Sequence, residues 1–405
     1  MESQIVCRIP SYVKAVTDAL QKAGHRGYLV GGSLRDLLLG KTPHDYDLTT
    51  DATPDEMLEI FSAFRTIPTG LKHGTLTVMS EGNPIEVTTH RVDGDYLDSR
   101  RPESVSFTRR LEEDLSRRDF TVNAMAWNQE LGLVDLFGGR DDLQRGVIRA
   151  VGNPVARFTE DALRILRAFR FSAQLNFAID PDTLAAAGLQ REGLSKISAE
   201  RVFSEIKRLL VAPAAARGLA ALCESGCERE VFHGLPLRHE LFERLEALPP
   251  EAALRLALLL CDHTPAKAEA LCRAWRTSNV FCDSVTDFLA AFSADLPHTS
   301  YEARRHVCSF WKGWEGAMQL RTALGQNVEE CRKICHTVAK NGTAVEIKRL
   351  AVNGRELQTQ LGVAPRDTGT LLLQLQDLVW QDPARNKKAV LLELARAILN
   401  KEMSV

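Results

Sequence analysis

No charge of one sign dominates this 405-residue chain: 51 Lys and Arg face 53 Asp and Glu, a net charge of −2. No overall field therefore draws it to nucleic acid or to a membrane, and any basic surface has to be local. Long apolar runs are missing, none approaching the roughly 18 residues of a membrane span. Residues 1–30 lack the basic start, apolar core and small-residue cleavage site of a secretory leader. The expectation is a soluble, cytoplasmic protein with no membrane partner. A disulfide framework is also excluded, because nine cysteines, an odd number, scatter from Cys7 to Cys335, eight of them from Cys223 onward. The Cys223/Cys227 and Cys331/Cys335 spacings, the latter followed by His336, have no second pair to complete a structural metal site. Reduced, partly buried thiols are expected. Internal repeats and low-complexity tracts are absent, and nothing in the sequence sets an oligomeric state.

Apolar residues make up 44% of the chain, enough for several cores and two to four domains. Residues 10–150 mix helix-like and strand-like segments. Ser11 to Ala23 has helical periodicity, Tyr28 to Val30 is a short apolar strand stopped by Gly31 and Gly32, and Leu34 to Leu39 reads as a helix closed by Gly40. Tyr46 and Leu48 alternate with Asp45 and Asp47 as in a half-buried strand. Thr53 and Pro54 predict a helix start, and Thr75 to Met79 with Pro84 to Thr89 a hairpin. From about 155 onward the pattern is almost wholly helical. The fold class expected is an α/β head, a small mixed sheet flanked by helices, followed by an all-α neck, body and tail. Turn-residue clusters near Gly152-Asn153-Pro154, Ala212-Pro213 and Asn341-Gly342 place these four pieces at 1–150, 151–212, 213–341 and 342–405.

Chemistry concentrates in the head. Gly31-Gly32-Ser33-Leu34-Arg35-Asp36 sets a glycine pair between a strand and a helix, where backbone N–H groups can approach a phosphate and Arg35 adds a cation. A strand-to-helix turn can also need glycine for conformation only. Asp45 and Asp47, one residue apart on an expected strand, put two carboxylates on one face, where they repel unless a cation sits between them. Mg²⁺ takes a few carboxylate oxygens together with substrate phosphates, although a lone pair of this kind can be a solvated strand face. Glu86, between Ile85 and Val87 on a later strand, is a third acid that could close the site.

The segment GGSLRDLLLGKTPHDYDL, Gly31 to Leu48, resembles the signature of the polymerase-beta-like nucleotidyltransferases, specifically class II tRNA nucleotidyltransferases and their bacterial poly(A) polymerase relatives. Further elements like the family's follow in order: Lys72-His73-Gly74-Thr75, EVTTHR from Glu86, RRDFTVNA from Arg117, DLFGG from Asp135, EDALRILRAFRF from Glu160 and ISAERV from Ile197. The resemblance implies transfer of nucleotides from CTP and ATP to a tRNA 3′ end, completing CCA without a nucleic-acid template and with Mg²⁺ as cofactor. It assigns metal binding to Asp45 and Asp47, phosphate contact to Gly32 and Arg35, and triphosphate and ribose contacts to Arg117, Arg118, Asp119 and Asn123. Glu86 is carried over as a further catalytic acid. An enzyme adding only the terminal A, a bacterial poly(A) polymerase and a catalytically silent RNA-binding protein on the same fold remain the alternatives.

Glu160 to Phe171 reads as one helix with Thr159 as N-cap, placing Asp161 and Arg164 on one face with Arg167 and Arg170 continuing it. Such a pair is ordinarily a surface ion pair. It also has the hydrogen-bond sense of a base: a carboxylate accepts from the amino group of cytosine or adenine while a guanidinium donates to the adjacent ring nitrogen, and uracil and guanine meet mismatches at both. The resemblance implies this selecting role for Asp161 and Arg164, and nucleotide contacts for Arg167 and Arg170. His90 to Pro102 is polar and turn-rich, and looks like the flexible loop of full CCA-adding family members. In the tail, Lys348, Arg349, Arg355, Arg385, Lys387 and Lys388 could meet phosphates or be solvated. Trp311 and Trp314 are expected in a helix core, and Cys261-Asp262-His263 lacks the spaced second His and Asp of a metal phosphohydrolase.

Overall fold

Val13, Val16 and Leu20 recur at helical spacing and form the buried face of α1 (Ser11–Lys22). In this computed structural model, which describes residues 8–93 and 105–402, β1 (Gly27–Val30) follows, buried at all four positions, and runs straight into α2 (Gly31–Leu38). The helix starts at Gly31 and not at the expected Leu34, because Gly31 takes a left-handed φ of 67° that swings the chain from strand into helix. Next come β2 (Asp47–Thr50) and α3 (Pro54–Ile60), the latter opened by Thr53 in a reciprocal capping box with Glu56. Then follow β3 (Arg65–Gly70), the hairpin β4 (Thr75–Ser80) and β5 (Asn83–Thr89), β6 (Arg91–Asp93), β7 (Val105–Phe107), α4 (Leu111–Ser116), β8 (Met125–Asn128) and β9 (Gly132–Asp135). The main sheet has the order β3-β4-β5-β2-β1-β8-β9. Only β2 and β5 pair in parallel within it, in a register that sets Asp47 opposite Glu86.

The strand expected from Asp45 begins only at Asp47. Its neighbour β1 ends at Val30, the register partner of Asp47, so the residues before Asp47 have no strand to pair with on that side. Asp45 is left on an exposed bend while Tyr46 is buried. The expected flexible loop falls largely on residues 94–104, which lie outside the described residues; the strands before and after it, β6 and β7, pair antiparallel.

The same unit continues through α5 (Gly139–Arg145), β10 (Val147–Ile148), α6 (Pro154–Glu160), α7 (Leu163–Leu175), β11 (Ala178–Ile179), α8 (Pro181–Leu189), α9 (Ala199–Leu210), α10 (Ala215–Glu224) and α11 (Glu228–Val231). The single helix expected over Glu160–Phe171 is two helices. Asp161 is extended, with φ −142° and ψ 103°, and its Oδ1 accepts the Leu163 N–H at 3.0 Å. An aspartate carboxylate thus competes with the helical ladder and opens a new helix. Thr159 does not cap, because its hydroxyl donates back to the Val155 carbonyl at 2.8 Å inside α6. Gly139 opens α5 so tightly that a Cβ there would sit 2.2 Å from the Thr121 carbonyl oxygen. Gly139→Ala is therefore expected to cost about 2 kcal/mol or more, read as a fall in Tm.

Contacts divide the chain into two compact units, Met1–Phe242 and Glu243–Val405. The second is built from α12 (Ala252–Leu259), α13 (Pro265–Ala274), α14 (Asn279–Ser293), α15 (Ser300–Ser309), α16 (Trp314–Ala323), α17 (Glu329–Lys340), α18 (Gly354–Leu361), α19 (Pro365–Gln381) and α20 (Lys388–Glu402). One buried cluster gathers Val307, Trp314, Met318, Cys331 and Cys335, another Val352, Leu357, Leu375, Val379 and Leu391. Trp314 is core as expected, but Trp311 lies in the turn before α16 and is 56% exposed. The eight cysteines among the described residues are free thiols. Among the tail cations, Lys348, Arg385 and Lys388 pair with Glu346, Asp382 and Glu356. No helix among the described residues is long and apolar enough to cross a membrane.

Candidate active site

The neighbouring strands β2 and β5 bring acids, and β6 and the turn after α4 bring arginines, to one recess. A cavity of about 170 Å³ is lined by Asp47, Glu86, Thr75, Thr88, Arg91, Arg117 and Arg118, among others. The parallel pairing of β2 and β5 supplies the two acids side by side, and the sharp entry into α2 adds its N-terminus. A Cβ on Gly31 would lie 3.5 Å from Arg118 Nη1 and 3.9 Å from Asp47 Oδ2. Burial, then the charges of Asp45 and Glu86, push the Asp47 carboxyl up to about 6, with Arg118 pulling the other way. Asp47 is thus an acid crowded by acids.

Among the described residues, no three acidic, histidine or cysteine side chains stand together closely enough to hold an ion by themselves. The residues nevertheless fit a hard divalent cation that takes one or two carboxylates and completes its shell with phosphate oxygens. The donors are all oxygens, and the mutual repulsion at Asp47 is what a bound cation would relieve. A stability test follows. A raised carboxyl disfavours the folded state above its folded pKa, and this penalty vanishes below its unfolded pKa of 3.8. Asp47→Asn, measured in chelator, is expected to raise stability at pH 7.5 by up to about 3 kcal/mol. Thermal melts should show the gap closing between pH 6 and pH 4.

The arginines that the sequence singles out are mostly held by carboxylates. Arg35 is buried, and donates from Nε and Nη2 to Asp36 Oδ1 and from Nη1 to Asn123 Oδ1 at 2.9 Å. Asn123 Nδ2 in turn donates to Asp119 Oδ1, and the other oxygen of Asp119 accepts Arg167 Nε at 2.8 Å. Burial works to raise the Asp119 carboxyl, yet Arg167 and Asn123 outweigh it and bring it down to about 2. Arg35, Asn123, Asp119 and Arg167 therefore form one hydrogen-bonded group, and Gly32, where a Cβ would lie 3.6 Å from Arg35 Nη2, stands beside it at the start of α2. Arg170 is turned elsewhere, donating to Glu205 and Gln174 with its guanidinium 4.0 Å from the Phe171 ring centroid.

Asp161 and Arg164 do not pair with each other across a helical turn. Asp161 Oδ2 lies 3.4 Å from Arg201 Nη2, from the ISAERV segment on α9. Arg164, 8% exposed, donates from Nη1 to Glu160 Oε2 at 2.6 Å and to the Arg157 carbonyl, and from Nη2 to the Arg117 carbonyl. The helix break at Asp161 explains both placements. Sequence reasoning missed Asp114, a fully buried acid that holds both Arg117 and Arg118. The signal was there in its spacing, an acid three and four residues before a double arginine.

Residues 27–149, which include every residue lining the recess, match the Poly A polymerase head domain. Residues 176–236 match the "Probable RNA and SrmB- binding site of polymerase A", and 250–395 match tRNA nucleotidyltransferase domain 2. The chain is 43% identical to the CCA-adding enzyme of Streptococcus gordonii over 370 residues, 89% of this chain and 90% of that one. The chain belongs to the CCA-adding enzyme family. A second family member, from Lactobacillus gasseri, is 41% identical over 389 residues, 93% of this chain and 95% of its own. Among solved structures, the Bacillus stearothermophilus CCA-adding enzyme in complex with CTP aligns with a TM-score of 0.78 at 30% identity, covering 97% of this chain and 98% of that one. The mixed sheet and helical remainder are the family's fold.

Proposed function

We infer that this protein is a tRNA nucleotidyltransferase that adds C, C and A in turn to the 3′ end of tRNA, from CTP and ATP, releasing pyrophosphate. The observation that carries the reading is the recess itself, where crowded carboxylates and paired arginines meet at a helix N-terminus within a chain of CCA-adding ancestry. Family membership implies a divalent metal, and Mg²⁺ is the ion we propose. Asp45 and Asp47 would hold it, with Glu86 alongside, and its chemistry there is activation of the tRNA 3′-hydroxyl and neutralisation of phosphate charge.

The chain's own residues do the rest. Arg117 and Arg118 present guanidiniums to the triphosphate, and the α2 N-terminus adds backbone N–H groups at Gly32. Asp119, Asn123, Arg35 and Arg167 form the firm wall on which ribose and phosphates are placed. Asp161 accepts from the amino group that cytosine and adenine share, while Arg164 donates to the ring nitrogen beside it. Three of the five N–H donors of Arg164 are taken by acceptors of the protein. These bonds orient the guanidinium before a base arrives, which lowers the ordering cost of binding. Arg170 braces the wall through Glu205 and Phe171. The cytoplasm, where tRNA and both nucleotides are held, is the compartment that suits the reading. Incubation with tRNA transcripts ending before CCA, after C and after CC, each with one labelled nucleotide, tests it. Addition of C, C and then A is expected; addition of A alone would leave an A-adding enzyme, and runs of A a poly(A) polymerase.

A further inference from the structure

Asp114 is fully buried and does not line the recess, yet two of the three arginines that do, Arg117 and Arg118, end on it. Helix α4 stops at Ser116, and the next two residues, three and four beyond Asp114, reach back to its carboxylate. Oδ1 accepts Arg117 Nε at 3.0 Å and Nη2 at 2.6 Å. Oδ2 accepts Arg118 Nη2 at 2.9 Å and lies 3.4 Å from the Thr49 hydroxyl. Thr49 is on β2, two residues beyond Asp47, and its hydroxyl is also 2.8 Å from Nδ1 of the buried His90. That hydroxyl also reaches the Thr88 carbonyl at 3.1 Å, so its one proton is shared between acceptors, and the carboxylate lies against the strand that carries Asp47.

We propose that Asp114 is a positioning residue for the nucleotide's triphosphate, acting through Arg117 and Arg118. The proposal rests on the reading of the recess as the nucleotide site. Two adjacent guanidiniums repel, and next to Asp47 and Glu86 a released arginine would fold onto those acids. One carboxylate shared between them cancels one of the two charges, keeps them together and keeps them off the acids. It leaves a net positive pair beside the α2 N-terminus, with Arg118 Nη1 turned toward Gly31. The two guanidiniums, in turn, hold the Asp114 carboxyl well below the usual carboxylate range despite its burial.

The test is calorimetric titration of the full-length protein with CTP and, separately, CMP, which shares base and ribose but lacks the β- and γ-phosphates. Asp114→Asn keeps the shape and removes the charge. It is expected to weaken CTP about tenfold or more with CMP changed by less than about twofold, since charge-assisted pairs are what the substitution breaks. In an Arg117→Ala/Arg118→Ala background the same substitution should weaken CTP no further, the signature of residues acting as one unit. Unchanged CTP affinity, equal weakening of CTP and CMP, or a full additional loss in the double-alanine background would each overturn the proposal. If melting curves show that Asp114→Asn is unfolded, Thr49→Val, which removes one partner of Oδ2, takes its place: a CTP loss of about threefold with CMP untouched supports the proposal, and no change overturns it. Wild-type protein that binds no CTP at all would instead remove the nucleotide-site reading.

Discussion

Asp47→Ala is expected to abolish nucleotide addition while tRNA binding survives. Asp47 stands where three influences converge: strand register sets Glu86 opposite it, Arg118 is close by, and burial raises the cost of its charge. On the proposed reading, a group so placed would serve the chemistry and not RNA docking. Loss of the charge stabilisation it anchors is worth several kcal/mol, about a thousandfold or more in rate. The measurement pairs labelled-CTP incorporation on tRNA lacking CCA with a filter-binding assay for the same tRNA. Unimpaired turnover in Mg²⁺ would remove Asp47 from the site, and lost tRNA binding would make it a folding residue. The stability gain predicted for Asp47→Asn sharpens the point, because a substitution that stabilises the fold and ends the reaction marks a position kept for function.

Asp161→Asn should relax the choice of base more than it slows use of the best substrate. Asparagine keeps an oxygen to accept the Leu163 N–H, so the start of α7 is preserved, where alanine would forfeit about 1 kcal/mol of capping. The amide nitrogen now donates where the carboxylate accepted, so it opposes the amino group of cytosine and welcomes the carbonyl of uracil. A good bidentate contact discriminates by about 1–3 kcal/mol, so the ratio of CTP to UTP incorporation is expected to fall by about 5- to 150-fold. An unchanged ratio would place base selection elsewhere.

Local patterns in the chain carried far. The helix start at Thr53 and Pro54, the hairpin over Thr75–Thr89, the buried strand at Tyr28–Val30 and the helical remainder were all legible, because each rests on neighbours a few residues apart. Motif order alone pointed to the CCA-adding lineage and to Asp47, Arg117 and Arg118 in one site. Two readings failed where a local pattern had a competitor. The strand at Asp45 lost its pairing partner when β1 turned into α2 at Gly31, and the helix through Asp161 was broken by that residue's own carboxylate.

What the sequence determined, then, was the family and most of the acids, arginines and glycines available to the proposed site, Asp114 excepted. Local spacing set some of their partners, Asp36 for Arg35, Asp114 for Arg117 and Arg118, and Glu160 for Arg164, while tertiary structure decided the others. Glu86 became the neighbour of Asp47 through the pairing of β2 with β5, Arg201 reached Asp161 from α9, and Arg170 went to Glu205 instead of joining Arg167 at Asp119. The reason is physical. A side chain's charge and hydrogen-bonding sense are properties of the residue, and a partner one to four residues away can be read from spacing, but one that stands tens of residues away is brought within reach only by the packed chain.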